Sequence, residues 1–285
     1  MMIPFLPTLL LVVLVMTMLC GNTCVNAVSI NERNNGARKN GESGTISCQD
    51  ITDYLPFAVT PTSDASNESL YDQSRKQYAS NMASSEISDK VLSPDVIAFC
   101  STDNEVLQAI EFGKACGYKI TIRSGGHQYA GFSSCAADVD GPVCMQIDTS
   151  ALESSHYDEV NNELTLGPGL DIEQVHSILV PLGITVPMGI CKSVNVGGHF
   201  QSSAAGFLAR SMGLGLDHVV SFRIALANGT IVTAKRGDEL YWAALGGSPG
   251  SWVSAHLFYV DASILHITFH LLLLLTNQTI LGCCT

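Results

Sequence analysis

The sequence predicts a mixed α+β protein, and three observations carry that reading. Residues 94–123 spell a strand, a helix and a second strand. Residues 163–182 spell a strand, a glycine turn and a capped helix. Asn228-Gly229 lies between two apolar runs, which predicts a β-hairpin.

In chain order, residues 28–47 are polar and rich in Gly and Asn, a flexible lead-in. Weak helical spacing runs through residues 66–90 at Leu70, Tyr71, Tyr78 and Met82. Residues 94–99 read as a short strand. Asp103 is placed to cap a helix that runs to Gly113, with Val106, Leu107, Ala109 and Ile110 as its buried face. Gly117 ends it. The next strand puts Ile120 and Ile122 on one face and Thr121 and Arg123 on the other. It breaks at Gly125-Gly126, directly before His127.

Residues 142–148 alternate through Val143, Met145 and Ile147, a further strand. The strand at 163–166 ends at Gly167-Pro168-Gly169. Asp171 then caps a helix to Leu182 through Ile172, Val175, Ile178 and Leu179. Residues 184–187 are short and extended. Residues 189–217 are glycine-rich with irregular apolar spacing, so backbone shape matters there more than amphipathicity. The hairpin strands are 219–227 and 230–234, and residues 238–245 read as a short helix ending at Gly246-Gly247.

The chain has 285 residues, enough for one large domain or two small ones. Its net charge of −12 argues against a nucleic-acid partner, because phosphate binding needs clustered Lys and Arg. Residues 5–19 form an apolar block of signal-peptide length, and Val25 and Ala27 supply the small residues of a cleavage site. Residues 1–27 are therefore read as a signal peptide and the mature protein as secreted. An uncleaved anchor is the alternative, but the block is short for a span of ~20 residues, so no stable membrane span is expected in the mature chain.

Secretion makes the cysteines legible as disulfides. Cys135 and Cys144 bracket a short loop that a disulfide could close. Cys48, Cys100 and Cys116 are three candidates for one further bridge, and spacing does not choose among them. Asn67, Asn228 and Asn277 fit the N-glycosylation sequon.

Several chemistries lack their motif. Gly213-Leu214-Gly215 has no third glycine and opens no clear helix, so a dinucleotide fingerprint fails. No phosphate loop of the Gly-Lys-Ser/Thr type exists. His127, His199 and Cys191 form no close ligand pair, so no metal site is assigned. What the glycine turn at 125–126 does offer is backbone N–H groups that can approach an anion, with a histidine beside them.

The stretch from Ile122 to Ser133 resembles the pyrophosphate loop of FAD-linked oxidases with the PCMH-type flavin fold of the vanillyl-alcohol oxidase superfamily. Residues 189–199, the 213–232 stretch and the 238–247 stretch resemble later segments of that family, in the same order. The nearest subgroup is the berberine bridge enzyme-like oxidases, which include oligosaccharide oxidases. The resemblance covers about residues 92–252.

The resemblance implies two α/β subdomains with the flavin between them, and it implies roles. His127 matches the histidine bonded covalently to the flavin. Arg123, Ser124, Gly125 and Gly126 match the pyrophosphate loop, flanked by Gln128 and Ser133. Cys191 matches a cysteine that attaches the flavin a second time in some members; a buried thiol and a disulfide partner are its alternatives. Val196, Gly197, Gly198, His199 and Gly206 match the second flavin-contacting segment, with His199 structural or on the phosphate side. Ile231 matches a residue beside the adenine. Tyr129 and Trp242 are read as packing rings. No catalytic base is named.

The sequence departs from the family in two places. Gln201 to Ala205 replace most of a glycine run, so positive φ there would cost roughly 1 kcal/mol or more. Residues 253–285 do not match the family and are read as translated intron or frameshifted sequence, with the substrate domain missing. The expected organisation is a signal at 1–27, a lead-in with first helices at 28–91, the FAD-binding domain at 92–252 and this tail. The expected function is hydride transfer from a small alcohol, sugar-like or aromatic substrate to covalent FAD, with O2 as acceptor. A non-catalytic secreted FAD-fold fragment is the alternative, and the oligomeric state is not legible.

Overall fold

The computed structural model describes residues 46–61, 65–78, 92–129, 131–135, 143–246 and 259–263, all within one compact unit, Thr45–Thr285. The signal-peptide block, Met82, the stretch from Gly247 to Trp252 and Asn277 lie outside the described residues. Among the described residues no helix is long and apolar enough to cross a membrane.

The first half contributes α1 (Ile51–Tyr54), β1 (Ala58–Val59), α2 (Ala65–Arg75), β2 (Val96–Phe99), α3 (Asp103–Ala115), β3 (Lys119–Arg123) and β4 (Cys144–Asp148). These strands form one sheet in the order β1-β2-β4-β3. β1 is antiparallel to β2, and the other pairs are parallel. The strand–helix–strand unit expected from sequence is present, but β4 lies between its two strands. Burial explains the placement: all five residues of β4 are buried, as a strand covered on both faces requires.

β2 shows the two faces separately. Val96 and Ala98 pack with Val106, Ile110 and Phe112 of α3. Ile97 packs with Val59 and with Tyr71 of α2 on the other side. The Tyr71 hydroxyl donates to the Pro94 carbonyl at 2.8 Å, and burial pushes its pKa up to about 12.

Thr102, not Asp103, caps α3. Its Oγ1 accepts from Glu105 N–H at 3.3 Å, while the Glu105 carboxylate accepts from Thr102 N–H at 3.1 Å. Asp103 instead lies in the first turn, 2.7 Å from Arg223. Two disulfides, Cys48–Cys116 and Cys135–Cys144, hold this half. Cys100, the third candidate, is a buried thiol whose pKa burial pushes up.

The second half contributes β5 (Ser155–Asp158), β6 (Glu163–Leu166), α4 (Ile172–Leu182), α5 (Val196–Gln201), α6 (Ala209–Met212), β7 (Val219–Ala225), β8 (Ile231–Lys235), α7 (Glu239–Ala244) and β9 (Tyr259–Ser263). The sheet is antiparallel, in the order β5-β6-β9-β7-β8. Asp171 caps α4 as expected, in a reciprocal box with Gln174 at 2.7 and 2.8 Å. Leu164, Leu166, Val175, Leu179, Phe200 and Phe222 form the core of this half. The β7–β8 hairpin turns at Asn228-Gly229, where Leu226 N–H donates to the Thr230 carbonyl at 2.8 Å. β9 belongs to the tail that the sequence reading left without a place in the fold. Its backbone pairs with β6 on one side and β7 on the other.

Candidate functional site

β3 delivers the first glycine turn. Arg123, its last residue, sets Nη1 2.6 Å from Oδ2 of the buried Asp148. Asp148 Oδ1 accepts from Ser150 N–H at 3.0 Å and from the Ser150 hydroxyl at 2.5 Å. Arg123 Nε is buried without a hydrogen-bond partner among the described residues. Gly126 has φ +69, and a Cβ there would stand 2.8 Å from Arg123 Nε and Nη2. A Cβ on Gly125 would stand 2.5 Å from Asn195 Oδ1. Glycine is thus favoured by close approach at Gly125 and by backbone conformation at Gly126.

His127 follows, half-buried. Its ring stacks on Tyr78, with centroids 4.5 Å apart and planes 22° apart. Tyr78 N–H donates to the Gly126 carbonyl at 2.8 Å, so the ring beneath the histidine is tied to its own turn. His127 Nε2 lies 3.1 Å from Ser193 Oγ. Burial holds the His127 pKa below its ordinary value; a hydrogen bond to the Ser193 backbone opposes this, and the Arg123 charge adds to it.

Ser193 belongs to the second glycine segment, two residues after Cys191. Cys191 is half-buried and outside both disulfides. The segments meet at one carbonyl: Pro168 O accepts from Ser124 Oγ at 2.5 Å and from Gly197 N–H at 3.1 Å. Asn195 Nδ2 donates to the neighbouring Gly169 carbonyl at 2.6 Å.

The expected cofactor residues of α5 divide into two groups. Val196 is fully buried in the second core, and its N–H donates to Leu170 O at 2.8 Å. Val196 and Gly197 therefore direct their amides inward. Gly198 is exposed, and a Cβ there would meet nothing within 4 Å. His199 Nε2 accepts from Gly189 N–H at 2.8 Å, which requires the neutral ring with its proton on Nδ1. Burial also lowers the His199 pKa. Gly206 backs onto the Met188 carbonyl, where any Cβ would overlap it.

Other expected residues stand apart from this junction. Gln128 Oε1 accepts from Phe132 N–H at 2.9 Å and closes its own loop. Ser133 donates to Gln77 at 2.5 Å. Ile231 packs against the first core from β8. Tyr129 and Trp242, read from sequence as packing rings, are 78 % and 76 % exposed. Each follows a turn or lies on the outer side of a short helix, where aromatic character alone does not imply burial. Backbone strain lies in the glycine-poor stretch: Ser203 has φ 125 and Ala204 has φ 51.

Sequence reasoning missed Tyr78, Pro168, Ser193 and Asn195 as organisers. Asn195 carried the one usable signal, a cap-type residue before a helix. Its side chain makes no cap and reaches Gly169 instead. The others carry none, because a stacked ring or a bridging carbonyl leaves no mark on residue type.

The residues present fit a flavin dinucleotide. A buried guanidinium N–H without a partner lies at a glycine turn, and Gly198 leaves open space at the second segment. The carboxylate beside the first turn is neutralised by Arg123, so it does not repel a phosphate.

Residues 94–235 match the FAD binding domain family. The chain is 31 % identical over 170 residues to the aclacinomycin-N/aclacinomycin-A oxidase of Streptomyces galilaeus, covering 56 % of this chain and 30 % of that protein. It is 31 % identical over 163 residues to berberine bridge enzyme-like 23 of Arabidopsis thaliana, with the same two coverages. The chain thus spans about a third of the length of these curated relatives. Among solved structures, BBE-like 1 of Physcomitrella patens superposes with a TM-score of 0.65 at 22 % identity, over 78 % of this chain and 45 % of that one. BBE-like 28 of Arabidopsis thaliana gives 0.66 at 23 % identity, over 77 % and 43 %. These likenesses show the shared fold, and the stretch from Pro94 to Lys235 matches the FAD binding domain family, with a berberine bridge enzyme-like protein among the chain's relatives.

Proposed function

We propose that this chain binds FAD across its two glycine segments, bonds it covalently at His127, and serves a flavin-dependent oxidation of a small alcohol, sugar-like or aromatic molecule. The observation that carries the reading is the 3.1 Å contact from His127 Nε2 to Ser193 Oγ, which joins the first glycine turn to the segment bearing Cys191 and Gly198. When bound, the flavin supplies the hydride acceptor and a methyl carbon for the histidine link.

The chain's residues do the remainder. Burial keeps His127 neutral near pH 7, so a ring nitrogen keeps its lone pair. A link at His127 would replace one methyl C–H and the ring N–H by an N–C bond, the two protons and two electrons passing by way of the flavin to O2 as hydrogen peroxide. Asp148 fixes the Arg123 guanidinium at the pyrophosphate turn, and Gly198 leaves room for the phosphates. Cys191 is the candidate for a second link, and Ile231 for an adenine neighbour. Two disulfides suit an oxidising compartment and support secretion; Asn228, exposed at the hairpin tip, suits a glycan.

A denaturing gel viewed under ultraviolet light after acid treatment tests the proposal. A fluorescent band that His127→Ala abolishes supports single attachment; one that disappears only when Cys191→Ala is added supports double attachment. A folded, colourless chain after FAD loading overturns the proposal in favour of a non-catalytic fold.

A further inference from the structure

We propose that a buried water bridges Gln146 Oε1 and Ser134 Oγ on one face of the first sheet, and that it props the segment carrying Tyr78 against the turn at 125–127. The site is built from this chain's own hydrogen bonds and does not depend on the flavin reading.

Gln146 is fully buried at the centre of β4. Its register partner on β2 is Ile97, which packs with Val59 and Tyr71. On that side its surroundings are apolar, so a buried amide must find its partners elsewhere. Its Nε2 donates to the Ser74 carbonyl of α2 at 3.0 Å. A carbonyl only accepts, so this contact fixes the amide: the nitrogen faces Ser74, and Oε1 is turned the other way. Oε1 has no hydrogen-bond partner among the described residues.

Ser134 is 4 % exposed, and its hydroxyl also lacks a partner among the described residues. Its neighbours bring it to the same face. Cys135 is disulfide-bonded to Cys144, which lies two residues before Gln146 on β4 and so shares its face. Ser133, on the other side, donates to Gln77 Oε1 at 2.5 Å. Gln77 lies three residues beyond Ser74, whose carbonyl holds Gln146. These links close a ring. It runs from Gln146 to Ser74, along the chain to Gln77, across to Ser133 and Ser134, and through the Cys135–Cys144 bridge back to β4. The two unpartnered groups of the ring are chemically complementary to water. Oε1 only accepts, and the hydroxyl both donates and accepts. A buried water needs at least two polar partners, and these two supply them. Without it, both groups would stay buried and unpaired.

The ring also carries Tyr78, the residue after Gln77. Tyr78 N–H donates to the Gly126 carbonyl, and its ring stacks on His127. The placement of that aromatic ring therefore depends on how firmly Gln77 and Ser133 are held to β4. An apolar residue at 146 would fill the layer but lose the link to Ser74. Glutamine keeps the link and leaves an amide oxygen for the water to satisfy.

Oxygen-17 magnetic relaxation dispersion of the full chain counts long-lived internal waters, and a crystal structure of the same chain places them. Wild type should show a water within roughly 3.2 Å of both Gln146 Oε1 and Ser134 Oγ. Ser134→Ala should lower the dispersion by about one water. It should also move the His127 ring protons downfield, as Tyr78 loosens its stack and its ring current weakens. Gln146→Leu should lose the water and the His127 shift together. Leu179→Ala, in the core of the second half, should destabilise the fold yet move neither readout, which separates positioning from a general loss of stability. A direct hydrogen bond between Gln146 and Ser134 with no water between them overturns the proposal, as does an unchanged dispersion in Ser134→Ala. A lost water with unmoved His127 resonances overturns the positioning of Tyr78. FAD takes no part in either readout, so a chain that forms no flavin link leaves the water site standing.

Discussion

Arg123 and Asp148 form an ion pair inside the first sheet, 2.6 Å from Nη1 to Oδ2, with the carboxylate fully buried. Both close adjacent parallel strands, β3 and β4, at the register pair Arg123–Asp148. Removing one partner leaves the other charge buried alone. Asp148→Asn should lower unfolding stability by about 3–5 kcal/mol, read as a drop in urea midpoint. Ser150→Ala, which removes only one hydroxyl from the same carboxylate, should cost about 1 kcal/mol. Equal losses in the two variants would contradict the ion pair's role.

Ser203 occupies φ 125, a region that disfavours every residue but glycine. Ser203→Gly should therefore stabilise the fold by about 1 kcal/mol, relief of strain outweighing the added freedom of the unfolded chain. Ala204, at φ 51, should respond less, since its buried methyl fills core space. Denaturant titration checks both, and destabilisation by Ser203→Gly would show that its side chain does more than tolerate the turn.

The two disulfides differ in reach. Cys48 and Cys116 are 68 residues apart, and Cys135 and Cys144 are 9 apart. Loop-closure entropy gives about 4 kcal/mol for the long link and ~2.6 kcal/mol for the short one. Replacing Cys48 and Cys116 by serine should depress the melting temperature more than replacing Cys135 and Cys144. The reverse order would mean that the short loop matters through native contacts instead.

Burial lowers the pKa of His127 and His199 below the ordinary 6.5. The unfolded chain therefore binds more protons than the folded one as pH falls past that value. Stability is fully present above about pH 6.5 and is lost as pH falls toward the folded-state values. The urea midpoint should fall between about pH 7.5 and pH 5.5. A midpoint that rises over that range would contradict the burial of these rings.

Much of the scaffold was legible in residue order. Asp171 with Gln174 three positions on, and Asn228-Gly229 between apolar runs, specify their structures locally, and both formed. Local signals failed where two neighbours offered the same chemistry, as Thr102 and Asp103 did at the start of α3. They failed again for β5, whose residues Ser155, His156, Tyr157 and Asp158 carry no apolar alternation. The order of β4 between β2 and β3 was not legible, because parallel pairing is decided by burial on both faces and not by chain neighbours. In the candidate site, His127 could be singled out from its glycine turn. The contacts that orient it come from residues 49 positions before and 66 after, a distance no local pattern spans.

β9 gives the second sheet an order of events. It is the last described strand along the chain and occupies the middle of its sheet. During synthesis the β5–β6 and β7–β8 hairpins can each form as they emerge, but the interval between them stays open until Tyr259–Ser263 leaves the ribosome. Until then the facing edges of β6 and β7 expose unpaired N–H and C=O groups, a template for another nascent chain. Completion of the sheet is thus a late, long-range step, and the wait for it is when this protein is most open to association with its own copies.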